Sequence, residues 1–283
     1  STLILKTIAL VILNWNGKSL LEKFLPTIIN YSPQAQIYVA DNASTDDSVA
    51  FIKQNYSSVT IIQNSDNFGY AQGYNEALTQ VKEPILGLIN SDIEVTPNWL
   101  TPIQNVFDTK ADVAIVQPQI LAYSDKNKYE YAGAGGGFID KFGFPFCRGR
   151  LFDTLENKDI YASDYIFWAS GACFFIKNEV FTSLGGFDSD FFAHQEEIDL
   201  CWRAFNKNHK AFYCAESTVY HVGGATLEQG NPHKTFLNFR NSLCMMAKNL
   251  PKSKLFPIIF IRLCLDGIAG IRFLLQGKFK HLW

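Results

Sequence analysis

The sequence predicts an α/β protein with a mostly parallel central sheet flanked by helices, and three observations carry that expectation. Short apolar runs alternate with segments of helical period for over a hundred residues from Ile8 onward, the pattern of repeated strand–helix–strand units. The runs Ile8 to Leu13, Ile37 to Ala40, Val59 to Ile62 and Ile85 to Ile89 are mostly apolar along their length, as strands covered on both faces must be. Finally, 283 residues with 47% hydrophobic content supply a large core. One large domain, or a domain with a smaller appendage, follows.

Taken in order, the first run feeds a helix in which Leu20, Leu21, Phe24, Leu25, Ile28 and Ile29 recur at helical spacing, with Pro26 a point of bending. The second run ends on Asp41. Ser44-x-x-Asp47 then reads as a capping box ahead of a helix through Val49, Ile52 and Tyr56. After the third run comes a helix from Gly69 to Val81, and after the fourth a helix from Pro97 to Phe107. The pattern changes between Leu121 and Asp164, which is rich in Tyr, Phe and Gly, including Gly133-Ala-Gly-Gly-Gly137, and reads as an irregular or hairpin-rich insert. A strand over Gly171 to Ile176, a short helix to Leu184, the turn Gly185-Gly186, a helix from about Glu196 to Asn206 and a strand around Lys210 to Cys214 follow. Two helices close the chain, near Phe236 to Lys248 and Leu255 to Leu275.

Composition excludes several functions. A formal charge of -2 with 25 basic residues gives no basic surface for nucleic acid, and a small or carbohydrate substrate fits better. The six cysteines form no C-x-x-C pair and sit in apolar runs, so they read as buried free thiols in a reducing compartment. The amino end shows no basic segment, apolar stretch and small-residue cleavage site in series, so a cytoplasmic protein is expected. The last helix is strongly apolar, yet Arg262, Asp266 and Arg272 interrupt the uncharged run of about 18 residues that a membrane span needs. Two readings stay open for it. It lies on a membrane surface, with Lys278, Lys280 and Trp283 following, or it packs on the core or a second subunit as a homodimer contact.

In open α/β sheets ligands gather at the carboxyl ends of strands. Four such ends are polar here: Asn14 to Gly17, Asp41-Asn42, Asn67 to Asn75, and Asn90-Ser91-Asp92. Each alone is ordinary turn and cap chemistry, and their joint placement points to a binding site. The first turn, Asn14-Trp-Asn-Gly-Lys18, lacks G-x-G-x-x-G, and no P-loop is present. A site without a glycine cradle handles diphosphate charge with a divalent cation on a carboxylate.

Seven motifs in order carry a family likeness: VILNWNG at Val11 to Gly17, DNASTDDS at Asp41 to Ser48, NFGYAQGYN at Asn67 to Asn75, LINSD at Leu88 to Asp92, SGACFFIKNEVF at Ser170 to Phe181, GGFDSDFF at Gly185 to Phe192, and EEIDLCWR at Glu196 to Arg203. Over about residues 7 to 245 the chain resembles the family 2 inverting glycosyltransferases of the glycosyltransferase A fold, rhamnosyltransferase-like and non-processive, since Q-x-x-R-W is absent. The resemblance implies a donor-nucleotide half over 1–120, an acceptor and catalytic half over 121–235, and a helical extension over 236–283. It implies a nucleoside-diphosphate sugar as donor and a carbohydrate or lipid-linked acceptor, in cell-surface polysaccharide synthesis. Asn14, Asp41 and Asn67, with Gly73 and Ser91 from the same motifs, would line the nucleotide pocket. Asp92 would ligate Mg²⁺ or Mn²⁺, although Asn90 stands where stricter members carry a first aspartate.

The same resemblance makes Glu197 the general base beside Glu196, where stricter members carry Glu-Asp. Without it, paired acids at a helix N-terminus have a plain electrostatic explanation. His221, in Val219 to Gly224, matches a late histidine that reaches the metal or diphosphate, and Arg240 with Asn241 a motif near the leaving group. Asp199 and Arg203 read as a helical ion pair, and Trp168 as either core or a sugar platform. A nucleotidyltransferase would show a glycine- and basic-rich first loop, which is missing. A non-catalytic nucleotide-sugar-binding protein remains open until turnover is measured.

Overall fold

The computed structural model describes residues 7–131, 133–151, 154–191, 194–223 and 232–281; Phe192, Gly224 and Trp283 lie outside them. The first half alternates β1 (Ile8–Asn14), α1 (Lys18–Tyr31), β2 (Ala35–Asp41), α2 (Ser48–Asn55), β3 (Thr60–Gln63), α3 (Gly69–Leu78), β4 (Ile85–Asn90), β5 (Ile93–Val95), α4 (Leu100–Thr109) and β6 (Val113–Ala122). Two small hairpins follow, β7 (Gly137–Ile139) with β8 (Pro145–Cys147), and β9 (Arg150–Leu151) with β10 (Thr154–Leu155). The chain then forms β11 (Asp164–Ile166), β12 (Cys173–Lys177), α5 (Asn178–Ser183), α6 (Glu196–Asn206), β13 (Lys210–His221), α7 (Pro232–Asn249) and α8 (Lys252–Leu275).

One nine-stranded sheet runs through both halves in the order β11-β13-β6-β12-β4-β1-β2-β3, with β5 paired to β13. The expected parallel character holds: β1 pairs parallel with β2 and β4, β2 with β3, and β6 with β13. Its centre is apolar on both faces, with Ile8, Leu10, Ile12, Leu88, Ile89, Phe175 and Ile176 fully buried. The departure that matters is β12, which enters antiparallel between β4 and β6, with Cys173 opposite Ile89 and Phe175 opposite Val116. Because the two strands run in opposite directions, the carboxyl end of β4 and the amino end of β12 leave the sheet at one edge. The Asn90 N–H extends the pairing to the Ala172 carbonyl at 2.9 Å.

The reading from the sequence omits β6, although all ten of its residues are buried. Pro118 argues against a central strand because it cannot donate to the ladder. The partner strand makes room for it: β13 pairs Cys214 with Pro118 and next Thr218 with Gln119, an irregularity that carries the strand past the missing N–H. The same irregularity hides the length of β13, which continues to His221. The expected capping box also does not form. Asp46 instead accepts from the Ser48 N–H at 3.0 Å, while Ser44 turns toward Asp41. The cysteines are all free, but only Cys173, Cys201 and Cys214 are buried; Cys244 and Cys264 are exposed.

Gly87 lies mid-strand in β4, where a Cβ would come within 2.7 Å of Phe175 and 2.8 Å of Leu10. Neither ring nor strand can withdraw from the packed core, so Gly87→Ala is expected to cost about 1–3 kcal/mol in urea unfolding. Unchanged stability would contradict this packing.

Candidate active site

The carboxyl ends of β1 and β2 hold a closed polar knot. Asp41 is 1% exposed. Its carboxylate accepts from Asn14 Nδ2 at 2.9 Å, from the Ser44 hydroxyl at 2.6 Å and from the Ser44 N–H at 2.9 Å. Asn16, in the left-handed region at φ 50°, accepts from the Thr45 N–H at 2.7 Å, fixing the two loops to each other. Asn14 Oδ1 is buried without a hydrogen-bond partner, and a Cβ on Gly17 would lie 2.5 Å from it and 3.8 Å from the Ser91 hydroxyl. The edge of this knot therefore keeps one free acceptor.

Asn67 serves the start of α3, accepting from the Gly69 N–H at 3.2 Å. Gly73 is a close-approach glycine: a Cβ there would sit 2.7 Å from Asn42, whose amide donates to the Gly69 carbonyl at 2.8 Å. Asn64 closes the set, donating to Asn42 at 2.7 Å and to the Gly73 carbonyl at 3.0 Å. Asn67 and Gly73 thus hold the third loop against the second.

Beyond β4 the chain turns at Asp92 into β5, which pairs antiparallel with the end of β13 so that His221 stands opposite Ile93. The Val222 N–H donates to the Asp92 carbonyl at 3.2 Å, and His221 Nε2 lies 3.2 Å from Asp92 Oδ1. On the other side of the ring, His221 Nδ1 is 3.7 Å from Glu130. Burial alone would lower the imidazole, but Asp92 and Glu130 raise it to about 9. For Asp92 burial acts upward, and the His221 contact more than offsets it, leaving the carboxyl below its ordinary range. Residues 92 and 221, far apart in sequence, meet as a charged pair. Among the described residues no three His, Cys, Asp or Glu side chains converge as a metal cage.

At the same edge, α6 begins with Glu196, 7% exposed, and the half-buried Glu197. The turn that delivers them is strained, with His194 and Gln195 both at φ 70°, which costs on the order of 1–3 kcal/mol each. It is tied down from α7. Asn241 Nδ2 donates to the His194 carbonyl at 2.8 Å and Arg240 to the Asp190 carbonyl at 2.8 Å, while Gln195 donates to the Asn238 carbonyl at 3.0 Å. Burial pushes Glu196 up to about 8, with the charge of Glu197 adding to it. Burial likewise raises Glu197 to about 7, against backbone N–H groups that include that of Gly171. One oxygen of each carboxyl is buried and has no hydrogen-bond partner. Tyr70, from α3, reaches across to donate to the Gly171 carbonyl at 2.8 Å, and a Cβ on Gly171 would lie 3.6 Å from the Glu197 carboxyl carbon.

Several residues singled out in the sequence do other work. Arg240 is committed to the loop before α6 and to Asn241, at 2.9 Å. Trp168 is 6% exposed, lies against Gly137 and donates to the Phe138 carbonyl at 2.7 Å, so it is core and not a sugar platform. Arg203 pairs with Asp199 at 2.7 Å and donates to the carbonyls of Leu184 and Gly186, binding the glycine turn to α6. Three residues at this edge, Glu130, Tyr70 and Trp15, are given no role by the sequence, although Tyr70 and Trp15 lie inside quoted motifs. Trp15, 56% exposed right after a buried strand, was findable from its position. Glu130 carries no local signal, and Tyr70, inside the Asn67 to Asn75 motif, gains its role through its bond to the Gly171 carbonyl.

Polar strand ends knotted together, a carboxylate–histidine pair and a raised carboxyl pair thus gather at one edge of an open α/β sheet, the edge where such folds bind ligands. The comparisons make the class specific. Residues 9–181 match the family model described as glycosyl transferase family 2, and the chain belongs to that family of glycosyltransferases. The match ends before α6, so Glu196, Glu197 and His221 rest on the geometry above. Among similar proteins, the low-salt glycan biosynthesis hexosyltransferase Agl10 of Haloferax volcanii is 22% identical over 98% of this chain and 88% of that protein. The N-acetylglucosaminyl-diphospho-decaprenol L-rhamnosyltransferase of Mycobacterium tuberculosis is 22% identical over 71% of each. The crystal structure of GalNAc-T7 with UDP, GalNAc and Mn²⁺ superposes with a TM-score of 0.62 at 18% identity, over 88% of this chain, which spans 52% of that one. The glycosyltransferase A fold expected from the motifs is the fold observed.

The raised carboxyls have a consequence for stability. In the folded chain they hold protons that the unfolded chain releases near 4.5. Stability contributed by this pair is therefore present at low pH and lost as pH rises toward about 8. Glu196→Gln is expected to shrink the drop in Tm between about pH 5 and about pH 8.5 relative to the unaltered chain. An equal drop in both would contradict the assignment.

Proposed function

We propose that this chain transfers a sugar from a nucleoside-diphosphate donor to a hydroxyl of a carbohydrate or lipid-linked acceptor, with inversion, during assembly of a cell-surface polysaccharide. The reading is of a cytoplasmic enzyme working at the inner face of the plasma membrane. The observation that carries it is the placement of a raised, half-buried carboxyl with one unpartnered oxygen, Glu197, at the sheet edge where Asp92 and His221 meet. The named activities of the relatives, and the UDP and Mn²⁺ of the neighbouring structure, support the donor class.

In this reading the nucleotide lies over the carboxyl ends of β1 and β2. Exposed Trp15 offers its face to the base, and the free Asn14 Oδ1 accepts from the nucleotide. Asp41 acts by holding Asn14 and Ser44, since both of its oxygens are engaged. Asp92 and His221 would hold Mg²⁺ or Mn²⁺ once the imidazole gives up the Nε2 proton that faces Asp92, with Nδ1 on the Glu130 side orienting the ring. With only two protein ligands, most of its coordination would come from diphosphate oxygens and water. When bound, the cation neutralises the departing diphosphate.

Glu197 takes the acceptor hydroxyl proton as that oxygen bonds to the anomeric carbon and the bond to the diphosphate breaks on the opposite face. A carboxyl raised this far is well matched to that task, because it is a stronger base than an ordinary glutamate and a substantial fraction of it is still ionised at neutral pH. Burial and the repulsion between the two acids keep one proton on the Glu196–Glu197 pair, which spares the site a second negative charge. Glu197→Gln is expected to lower transfer by about 10²- to 10⁴-fold while calorimetric binding of a nucleoside diphosphate with Mn²⁺ is retained. Full transfer by that variant would overturn the assignment.

A further inference from the structure

The outer face of α8 presents an unpartnered apolar surface with a fixed direction. Arg262 is 2% exposed and donates to the carbonyls of Phe142 and Gly143, at 3.3 and 3.1 Å, and to the Ser242 hydroxyl at 2.9 Å. It also pairs with Asp266 and lies 3.7 Å over the Phe144 ring. These contacts set which side of the helix faces the protein. At 3.6 residues per turn, the opposite side carries Phe256, Phe260, Ile268, Ile271 and Leu275, which are 58% to 85% exposed. Leu263, 53% exposed, borders them. Lys252, Lys254 and Arg272, all exposed, fall on the two shoulders between the buried and apolar faces. No helix of the described residues is long and apolar enough to cross a membrane.

We infer that this face docks on an anionic lipid bilayer, with α8 lying in the plane of the surface. The charge distribution selects lipid over a second copy. Residues 250–283 hold six basic residues and one acid, Asp266, which is already paired, whereas the other 249 residues hold nineteen basic and twenty-six acidic. A net of +5 on residues 250–283 faces a net of -7 on the remainder. Two extensions meeting face to face would set like charges together, while anionic headgroups meet the shoulder cations as the apolar side chains enter the acyl boundary. The extension is joined to the acid turn through α7, whose Asn238, Arg240 and Asn241 hold the loop before Glu196. The inference goes beyond the transfer reading and does not rest on it.

Flotation of the full 283-residue chain with vesicles tests it. Phosphatidylcholine vesicles containing phosphatidylglycerol are expected to carry most of the protein upward. Phosphatidylcholine alone, or anionic vesicles at high salt, should carry about tenfold less. F260E/I271E, on the exposed face, should lose at least about tenfold in binding with an unchanged Tm, and K252E/K254E should lose binding to the anionic vesicles. A chain that stays unbound with both vesicle types overturns the inference, as does F260E/I271E floating like the unaltered protein. So does a dimer by light scattering that F260E/I271E converts to monomer, which would assign the face to a second copy.

Discussion

The site depends on one strand running the wrong way. Had β12 entered parallel to β4, its start would lie at the far edge of the sheet, and Gly171 could not reach the edge where Asp92 emerges. Antiparallel entry, held by the Cys173–Ile89 register and the Asn90-to-Ala172 hydrogen bond, makes donor-side and acid-side elements neighbours. Tyr70 fastens the junction from the donor side by its bond to the Gly171 carbonyl. The β5–β13 pairing then adds His221 to Asp92 through backbone register. Every catalytic proposal above uses side chains brought together by these pairings.

The edge is also where the fold accepts unfavourable chemistry. Two adjacent left-handed residues, a buried and a half-buried acid side by side, and an imidazole between two carboxylates are each costly alone. They persist because neighbouring elements over-determine them. Asp199, fully buried at the inner side of α6, receives Arg203, Lys248 and Asn249, so the helix behind the two glutamates is anchored to α7 while its first turn stays under tension. Within so anchored a helix, one oxygen each of Glu196 and Glu197 stays buried without a protein hydrogen-bond partner.

Much of this was legible in the sequence, and the failures have physical causes. Apolar runs gave the first four strands because buried parallel strands need no alternation, and α6 was placed to the residue by its acidic first turn. The ordered motifs named the family and pointed to Asp92 and His221, which the fold brings within 3.2 Å. β6 escaped because Pro118 mimics a strand breaker and is tolerated only opposite an irregularity in another strand. Arg240 looked like a phosphate ligand because its charge is visible in sequence, whereas the backbone carbonyls that occupy it are not. Glu130 lies outside every motif and Tyr70 inside one, but their roles exist only once α3 meets the start of β12 and the insert folds back beside β13.

In the proposed mechanism packing and reactivity are linked: the burial that destabilises ionised Glu197 would also make it the stronger base. The most direct test is the pH dependence of kcat/KM for sugar transfer. The account predicts an acidic limb centred near about 7, with the rate falling tenfold per pH unit below it as Glu197 takes up its proton. A profile that stays flat down to about pH 5, as an ordinary glutamate would give, would contradict it.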